Sequence, residues 1–168
     1  LKLLEDAGKD SFEIIGREIV VKGDFHGFNF VGFIDRLDAF DQDQVRVVDY
    51  KTGAVLDEDF MIEEYGPLDV ADKIFAPDIQ GRPKIAFQFY IYDLLLQGRE
   101  EVRGRHIHNC IYSTSRLFRE LPQSRPLNNM FFDRVTENLE KLLDEICDPQ
   151  VNFRRTTDEK MCSYCDFK

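Results

Sequence analysis

The feature that most constrains the fold is a pair of short β-forming runs, Gly32-Phe-Ile-Asp35-Arg-Leu-Asp38 and Val45-Arg-Val-Val-Asp49-Tyr50-Lys51-Thr52-Gly53, separated by Asp41-Gln-Asp-Gln44. β-Branched and aromatic residues fill both runs and the polar tetrapeptide supplies turn chemistry, so the pair predicts a hairpin. Side chains alternate across a strand, which sets Val45, Val47, Asp49 and Lys51 on one face and Arg46, Val48 and Tyr50 on the other. Asp49 and Lys51 are then neighbours, about 6.5 to 7 Å apart by strand rise. An acid that closes an apolar run beside a lysine on the same face suits a cation and a charged substrate better than it suits simple solubility.

The surrounding sequence extends the sheet. Ser11 to Val21 contains the extended candidate Glu18-Ile-Val-Val21, and Phe28 to Asp38 continues after a turn at Gly23-Asp-Phe-His-Gly27. Three consecutive strands joined by short turns predict an antiparallel meander. Residues 54–83 are acidic, lack a clean period and contain Gly66-Pro67, Pro77 and Gly81-Arg-Pro83, which predicts a long mobile loop with at most one helical turn around Glu58 to Glu64. Lys84 to Gln97 has Ile85, Phe89, Tyr92 and Leu96 at helical spacing with Gly98 as a stop, and Gln88 and Tyr92 share a face. Arg105 to Ser113 alternates as a further strand. Asn128 or Asn129 caps a helix through Phe131, Val135, Leu139, Leu142, Leu143 and Ile146, closed by Asp148-Pro149. Residues 1–7 read as the end of a helix closed by Gly8. The order β-β-β-α-β-α predicts an α/β fold with a mixed central sheet flanked by helices.

A chain of 168 residues buries one core, so a single domain over 1–168 is expected. It opens in mid-pattern at Leu1-Lys2-Leu3-Leu4 and stops just after Cys162-Ser-Tyr-Cys165, which predicts a piece of a larger protein. No apolar run has the length of a membrane span and the amino end has no signal-like core, so a cytoplasmic location and no membrane partner are expected. The formal charge of −10 argues against binding nucleic acid through a broad basic surface. It leaves open a site where clustered acids hold divalent ions and so invert the local field.

The pattern G-x-x-D-R-x-D followed by D-Y-K-T-G, with Asp49 fourteen residues after Asp35, resembles the RecB-like branch of the PD-(D/E)xK nuclease superfamily, the RecB/AddB-type exonuclease C-terminal domain. Gln88-Phe-Tyr-Ile-Tyr92 is similar to that branch's Q-x-x-x-Y helix motif, and Cys162-Ser-Tyr-Cys165-Asp-Phe to its cysteine-containing tail. The resemblance runs from about Glu18 to Lys168. It implies a restriction-endonuclease-like core, a Mg2+- or Mn2+-dependent deoxyribonuclease acting in DNA recombination or repair, and DNA with a helicase domain or subunit as partners.

By the same resemblance, Asp35 and Asp49 are metal ligands, the carbonyl of Tyr50 adds a third, and Lys51 positions or activates water and screens phosphate charge. Hard oxygen donors suit both ions. Taken singly, Asp35 reads equally as a partner of Arg36 and Lys51 as a snorkelling edge lysine; Asp38 reads as a surface partner of Arg36. Glu18, seventeen residues before Asp35, stands where the family carries another acidic ligand, with Glu13 the competitor and a solvated strand end the bland alternative. The histidine that the family places on a helix upstream has no counterpart: His26 lies in a turn, and His106 and His108 lie late. Gln88 and Tyr92 resemble the family's substrate-contacting pair, although Tyr92 also reads as a core aromatic with its hydroxyl at the rim.

Cysteine spacing adds a further candidate. Cys162-x-x-Cys165 has the spacing of half a zinc or iron-sulfur site. Family members with a [4Fe-4S] cluster use one upstream and three terminal cysteines, and the third terminal one is not present here, so a cluster is expected only in a longer parent protein. Cys110 and Cys147 read as buried small hydrophobes. A non-catalytic DNA-binding or scaffolding domain is the alternative to the nuclease, and a zinc-bearing interaction module on Cys162 and Cys165 a third reading.

Overall fold

The computed structural model describes residues 11–53, 55–59, 61–77, 81–114 and 124–154. Strand β1 spans Glu13–Phe25 and β2 spans Phe28–Ala39. They pair antiparallel up to Phe25 opposite Phe28, so the turn is the two residues His26 and Gly27 and is shorter than the five-residue turn expected. Both take positive φ, +52° and +78°, the requirement of a hairpin turn whose twist matches that of its strands. The His26 ring nitrogen Nε2 lies 2.7 Å from Asp144 Oδ1, tying the hairpin tip to the last helix, and that hydrogen bond raises the pKa of the imidazole.

Strand β3 (Gln44–Lys51) pairs antiparallel with β2, after a turn closed by the Asp41 carboxylate accepting the Asp43 and Gln44 N–H groups at 3.1 and 3.0 Å. Strand β4 (His106–Ser113) runs parallel to β3 along its whole length, and the short β5 (Ser124–Arg125) returns antiparallel beside β4. The strands lie in the order β1-β2-β3-β4-β5. The mixed central sheet and its flanking helices are those expected, with β5 unforeseen.

Residues 54–83 depart from the expected loop. A 3-10 turn at Asp57–Asp59 is followed by α1 (Ile62–Tyr65) and α2 (Pro67–Phe75). Gly66 takes φ +86° and Pro67 starts α2 at the first helical position, where a missing N–H is harmless. Val70, Ala71 and Ile74 give α2 its buried stripe. Helix α3 spans Lys84–Leu96 and α4 spans Asn129–Cys147, the latter capped by Asn128 Oδ1, which accepts the Phe131 N–H at 3.2 Å.

Helix α3 lies between two apolar clusters, which is why it is apolar round most of its circumference. One side, with Ile85, Phe89, Tyr92, Leu95 and Leu96, packs on Ile34, Leu37, Val45 and Val47 of the sheet. The other, with Ala86 and Tyr90, packs on Phe131, Val135, Leu139 and Leu143 of α4 and on the stripe of α2. The start of α3 has no local side-chain cap. Asp59 supplies one from the 3-10 turn, accepting Ile85 N–H at 2.8 Å, Ala86 N–H at 3.2 Å and Leu56 N–H at 3.2 Å. Its burial raises its pKa, and the three N–H groups pull it back down.

Two polar expectations change. Asp38 is no surface acid: it is fully buried, with Arg46 Nε and Nη2 donating to its two oxygens at 2.7 and 2.9 Å and Arg36 Nε 2.8 Å from Oδ2. The latter contact is ionic only, since Arg36 Nε makes no hydrogen bond at that angle. Cys110 is buried as expected, whereas Cys147 is exposed, because it ends α4 beyond the last core position Leu143. Among the described residues no helix is long and apolar enough to cross a membrane. Residues 1–7 and the Cys162/Cys165 pair lie outside the described residues.

Candidate active site

The site forms where β2 and β3 part. Their ladder runs Asp38/Arg46, Leu37/Val47, Arg36/Val48 and ends there. Continuing that register by one residue sets Asp35 against Asp49, and both follow Leu37 and Val47 onto the face that α3 covers. The Asp35 carboxylate replaces the next backbone bond: its Oδ2 accepts the Tyr50 N–H at 2.8 Å. Strand β3 meanwhile stays paired with β4 through Lys51 opposite Ser113, and β2 stays paired with β1. The two carboxylates thus sit in the fork of a splayed ribbon.

Strand β1 bends at the same level. Its ladder with β2 sets Arg17 opposite Arg36 and Ile19 opposite Ile34 but passes over Glu18 and Asp35, and Glu18 has φ +52°, a left-handed conformation uncommon outside glycine. Strict alternation from Leu37 would turn Ile34 away from α3, yet Ile34 is fully buried in the same core. The change of side occurs at Glu18 and Asp35. Glu18, Arg17, Asp35 and Tyr50 line one cavity of about 720 Å³. Glu13 is not among its walls and lies opposite Ala39 at the open end of the strand pair.

A second cavity of about 520 Å³ is lined by Asp35, Asp49, Tyr50, Lys51, Gln88 and Tyr92, with Gly32, Phe33 and Lys84 among the other walls. Asp49 is only 2% exposed. Burial raises its pKa, contact with Lys51 lowers it, and the charge on Asp35 raises it again, the net direction being upward. Lys51 Nζ stands 2.7 Å from Asp49 Oδ2. The approach compensates charge without hydrogen-bond geometry, and Oδ2 remains a buried oxygen with no hydrogen-bond partner.

A polar chain runs on from the lysine. Lys51 Nζ donates to Gln88 Oε1 at 2.8 Å, Gln88 Nε2 donates to the Tyr92 hydroxyl at 2.5 Å, and that hydroxyl donates to the Phe33 carbonyl at 2.5 Å. An ammonium can only donate, so the oxygen of Gln88 has to face it and the direction of the chain follows. Burial raises the Tyr92 pKa, the Gln88 contact lowers it and the charges of Asp49 and Asp35 raise it, so the phenol stays a donor. Gln88 and Tyr92 therefore hold Lys51 and β2 in place, and both also line the cavity. Tyr92 is also the core aromatic with a rim hydroxyl, and its ring lies where a Cβ at Gly32 would come within 3.0 Å.

Other residues fall elsewhere. Tyr50 turns its ring to the opposite sheet face, where its hydroxyl accepts from Arg36 Nη1 at 2.6 Å and Arg36 lies over the rings of Phe12, Tyr50 and Tyr112. Arg36 thus does not partner Asp35. His26, His106 and His108 stand outside both cavities. Lys84 and Asp59 were missed by sequence reasoning; the only sequence signal for Lys84 was its place one turn before Gln88.

The fit of a divalent ion rests on these oxygens. Among the described residues Asp35 Oδ1 makes no hydrogen bond, whereas Asp49 Oδ2 is ion-paired with Lys51 at 2.7 Å; two carboxylates with water are a usual ligand set for magnesium. Among the described residues no group of three or more His, Cys, Asp and Glu side chains is set to hold a metal.

A mixed sheet with paired acids in a strand fork and a lysine two residues on is the framework of a hydrolytic site for charged substrates. The family model of the PD-(D/E)XK nuclease superfamily matches residues 2–168, and the chain belongs to that superfamily. No curated protein matches the sequence.

Proposed function

We propose that the chain is a Mg2+- or Mn2+-dependent deoxyribonuclease of the RecB-like branch, an exonuclease or end-processing module of DNA recombination or repair working with a helicase domain or subunit. The observation that carries the reading is the convergence of Asp35, Asp49 and Lys51 on one cavity at the fork. The site chemistry fits Asp35 and Asp49 as the ligands, with the Tyr50 carbonyl as a further oxygen and Glu18 as the acid beside them. The ion, when bound, supplies Lewis acidity and positive charge beside the scissile phosphate. Lys51 offers an ammonium to the phosphate oxygens as charge builds on them, and Gln88 and Tyr92 keep it aimed. Asp49 holds Lys51 close, its Oδ2 2.7 Å from Nζ.

Lys51→Ala should abolish magnesium-dependent cleavage of DNA while the thermal melt persists, a loss of about a hundredfold or more for a group that stabilises transition-state charge. Cleavage by Lys51→Ala at the wild-type rate sinks the assignment. A second reading, a non-catalytic DNA-binding domain that keeps the fold, draws on the charge of −10. Manganese calorimetry separates the two: heat of binding lost in Asp49→Asn supports the enzyme, and no binding in the wild type supports the scaffold.

A further inference from the structure

The outer face of the β1–β2 hairpin is apolar where a soluble sheet is normally polar. Val20 lies opposite Phe33 and Lys22 opposite Val31, so all four project from one face, the one turned away from buried Val21 and Ile34. Phe33 is 65% exposed, Val31 49% and Val20 45%. Scattered exposed hydrophobes need no explanation, but a contiguous patch running into a cavity does. Val31 and Phe33 are also walls of the cavity that contains Asp35, Asp49 and Lys51. Phe33 stands two residues before Asp35, across the change of side at Asp35, so the patch meets the carboxylates at the open fork and not along one face of the strand.

The patch is held still. The Phe33 carbonyl accepts the Tyr92 hydroxyl, at the end of the same chain that positions Lys51. Cations flank it: Lys22 on the face itself and Lys84 on the cavity wall, with Asp24, opposite Asn29, the acid further out toward the turn. An aromatic with cations on either side is the chemistry that binds single strands, the ring stacking a base and the lysines meeting phosphates. A base inside a duplex already has both faces stacked, so such a surface rewards only an unpaired one.

We propose that Phe33, with Val20 and Val31 around it, is the stacking platform for an unpaired base of single-stranded DNA, and that it sets a preference for single strands at the neighbouring carboxylates. The proposal rests on the nuclease reading for its substrate and goes beyond it in naming the strand form and the residue that selects it.

The test uses the full chain and single-stranded oligonucleotides carrying 2-aminopurine or an abasic position, with binding read by fluorescence quenching and cleavage read separately in manganese. Phe33→Ala should lose the quench and bind about tenfold more weakly, the usual effect of one stacked base. Phe33→Trp should restore both. An abasic site at the stacked position should weaken wild-type binding by a similar factor and leave Phe33→Ala unaffected. Equal ratios of intact to abasic affinity in wild type and Phe33→Ala overturn the platform, as does duplex binding that falls as much as single-strand binding. Quenching that depends on Phe33 in a chain that cleaves nothing defeats the nuclease reading alone. Cleavage indifferent to Phe33 defeats the platform alone.

Discussion

Asp93 offers the sharpest quantitative test of how this core is built. It follows Tyr92 on α3, is buried, and among the described residues its hydrogen-bond partner is Asn109 of β4, whose Nδ2 donates to both carboxylate oxygens at 3.1 and 3.0 Å. Burial pushes its pKa to about 8 from 3.8, the Asn109 contact offsetting part of the rise. The folded state therefore holds a proton that the unfolded chain has released by neutral pH. Its stabilising effect is complete below the unfolded pKa of 3.8 and is lost as pH rises to the folded value of about 8. Between those limits each pH unit costs about 1.4 kcal/mol, so going from pH 5 to pH 7 costs about 3 kcal/mol through this one group. Asp93→Asn removes the titration while keeping an acceptor for Asn109 Nδ2, and its amide can donate to Asn109 Oδ1, a buried oxygen otherwise without a partner. Urea unfolding of both proteins at pH 5, 6, 7 and 8 should show the variant gaining on the wild type by about 3 kcal/mol between pH 5 and pH 7. Other titrating groups cancel in the difference. A gap that stays constant across that range refutes a neutral Asp93.

Gln88→Leu leaves Lys51 without its acceptor and should lower kcat about tenfold, the worth of a charge-assisted hydrogen bond, with KM little changed. A rise in KM at unchanged kcat would instead mark Gln88 as a contact to substrate. Asp38→Ala leaves the buried guanidinium of Arg46 and that of Arg36 without their anion and should destabilise by about 3 to 5 kcal/mol in urea melts, against under about 1 kcal/mol for a surface acid.

The hairpin from Gly32 to Gly53 was legible because period-two alternation is a strong signal, and it carried Asp35, Asp49 and Lys51 into one place. Both long helices were legible from spacing and from the Asn128 cap. Helix α2 was not, because its stripe is only Val70, Ala71 and Ile74 within an acidic stretch. The burial of Asp38 was hidden for another reason: alternation says which face a residue takes, and nothing local says what covers that face. Asp59 caps a helix whose first residue lies twenty-five positions later, and no capping pattern in a short window reaches so far. Glu18 and Glu13 could not be separated by spacing, since the register between β1 and β2 shifts between Ile14 and Gly16.

The parting of β2 and β3 bears on why a site sits here at all. In an unbroken ladder the backbone of Asp35 would pair with β3, and its carboxylate would have no call on Tyr50 N–H. Parting the strands after Arg36 and Val48 removes that pairing, and the carboxylate makes good the N–H it exposes. The strain of parting falls on β1, where Glu18 takes its left-handed φ directly across from Asp35. Helix α3 then holds the fork open from above: the Tyr92 ring rests against Gly32, its hydroxyl grips the Phe33 carbonyl, and Gln88 reaches across to Lys51. A regular sheet would be more stable strand for strand, but it would close the fork in which the two carboxylates and Lys51 line one cavity.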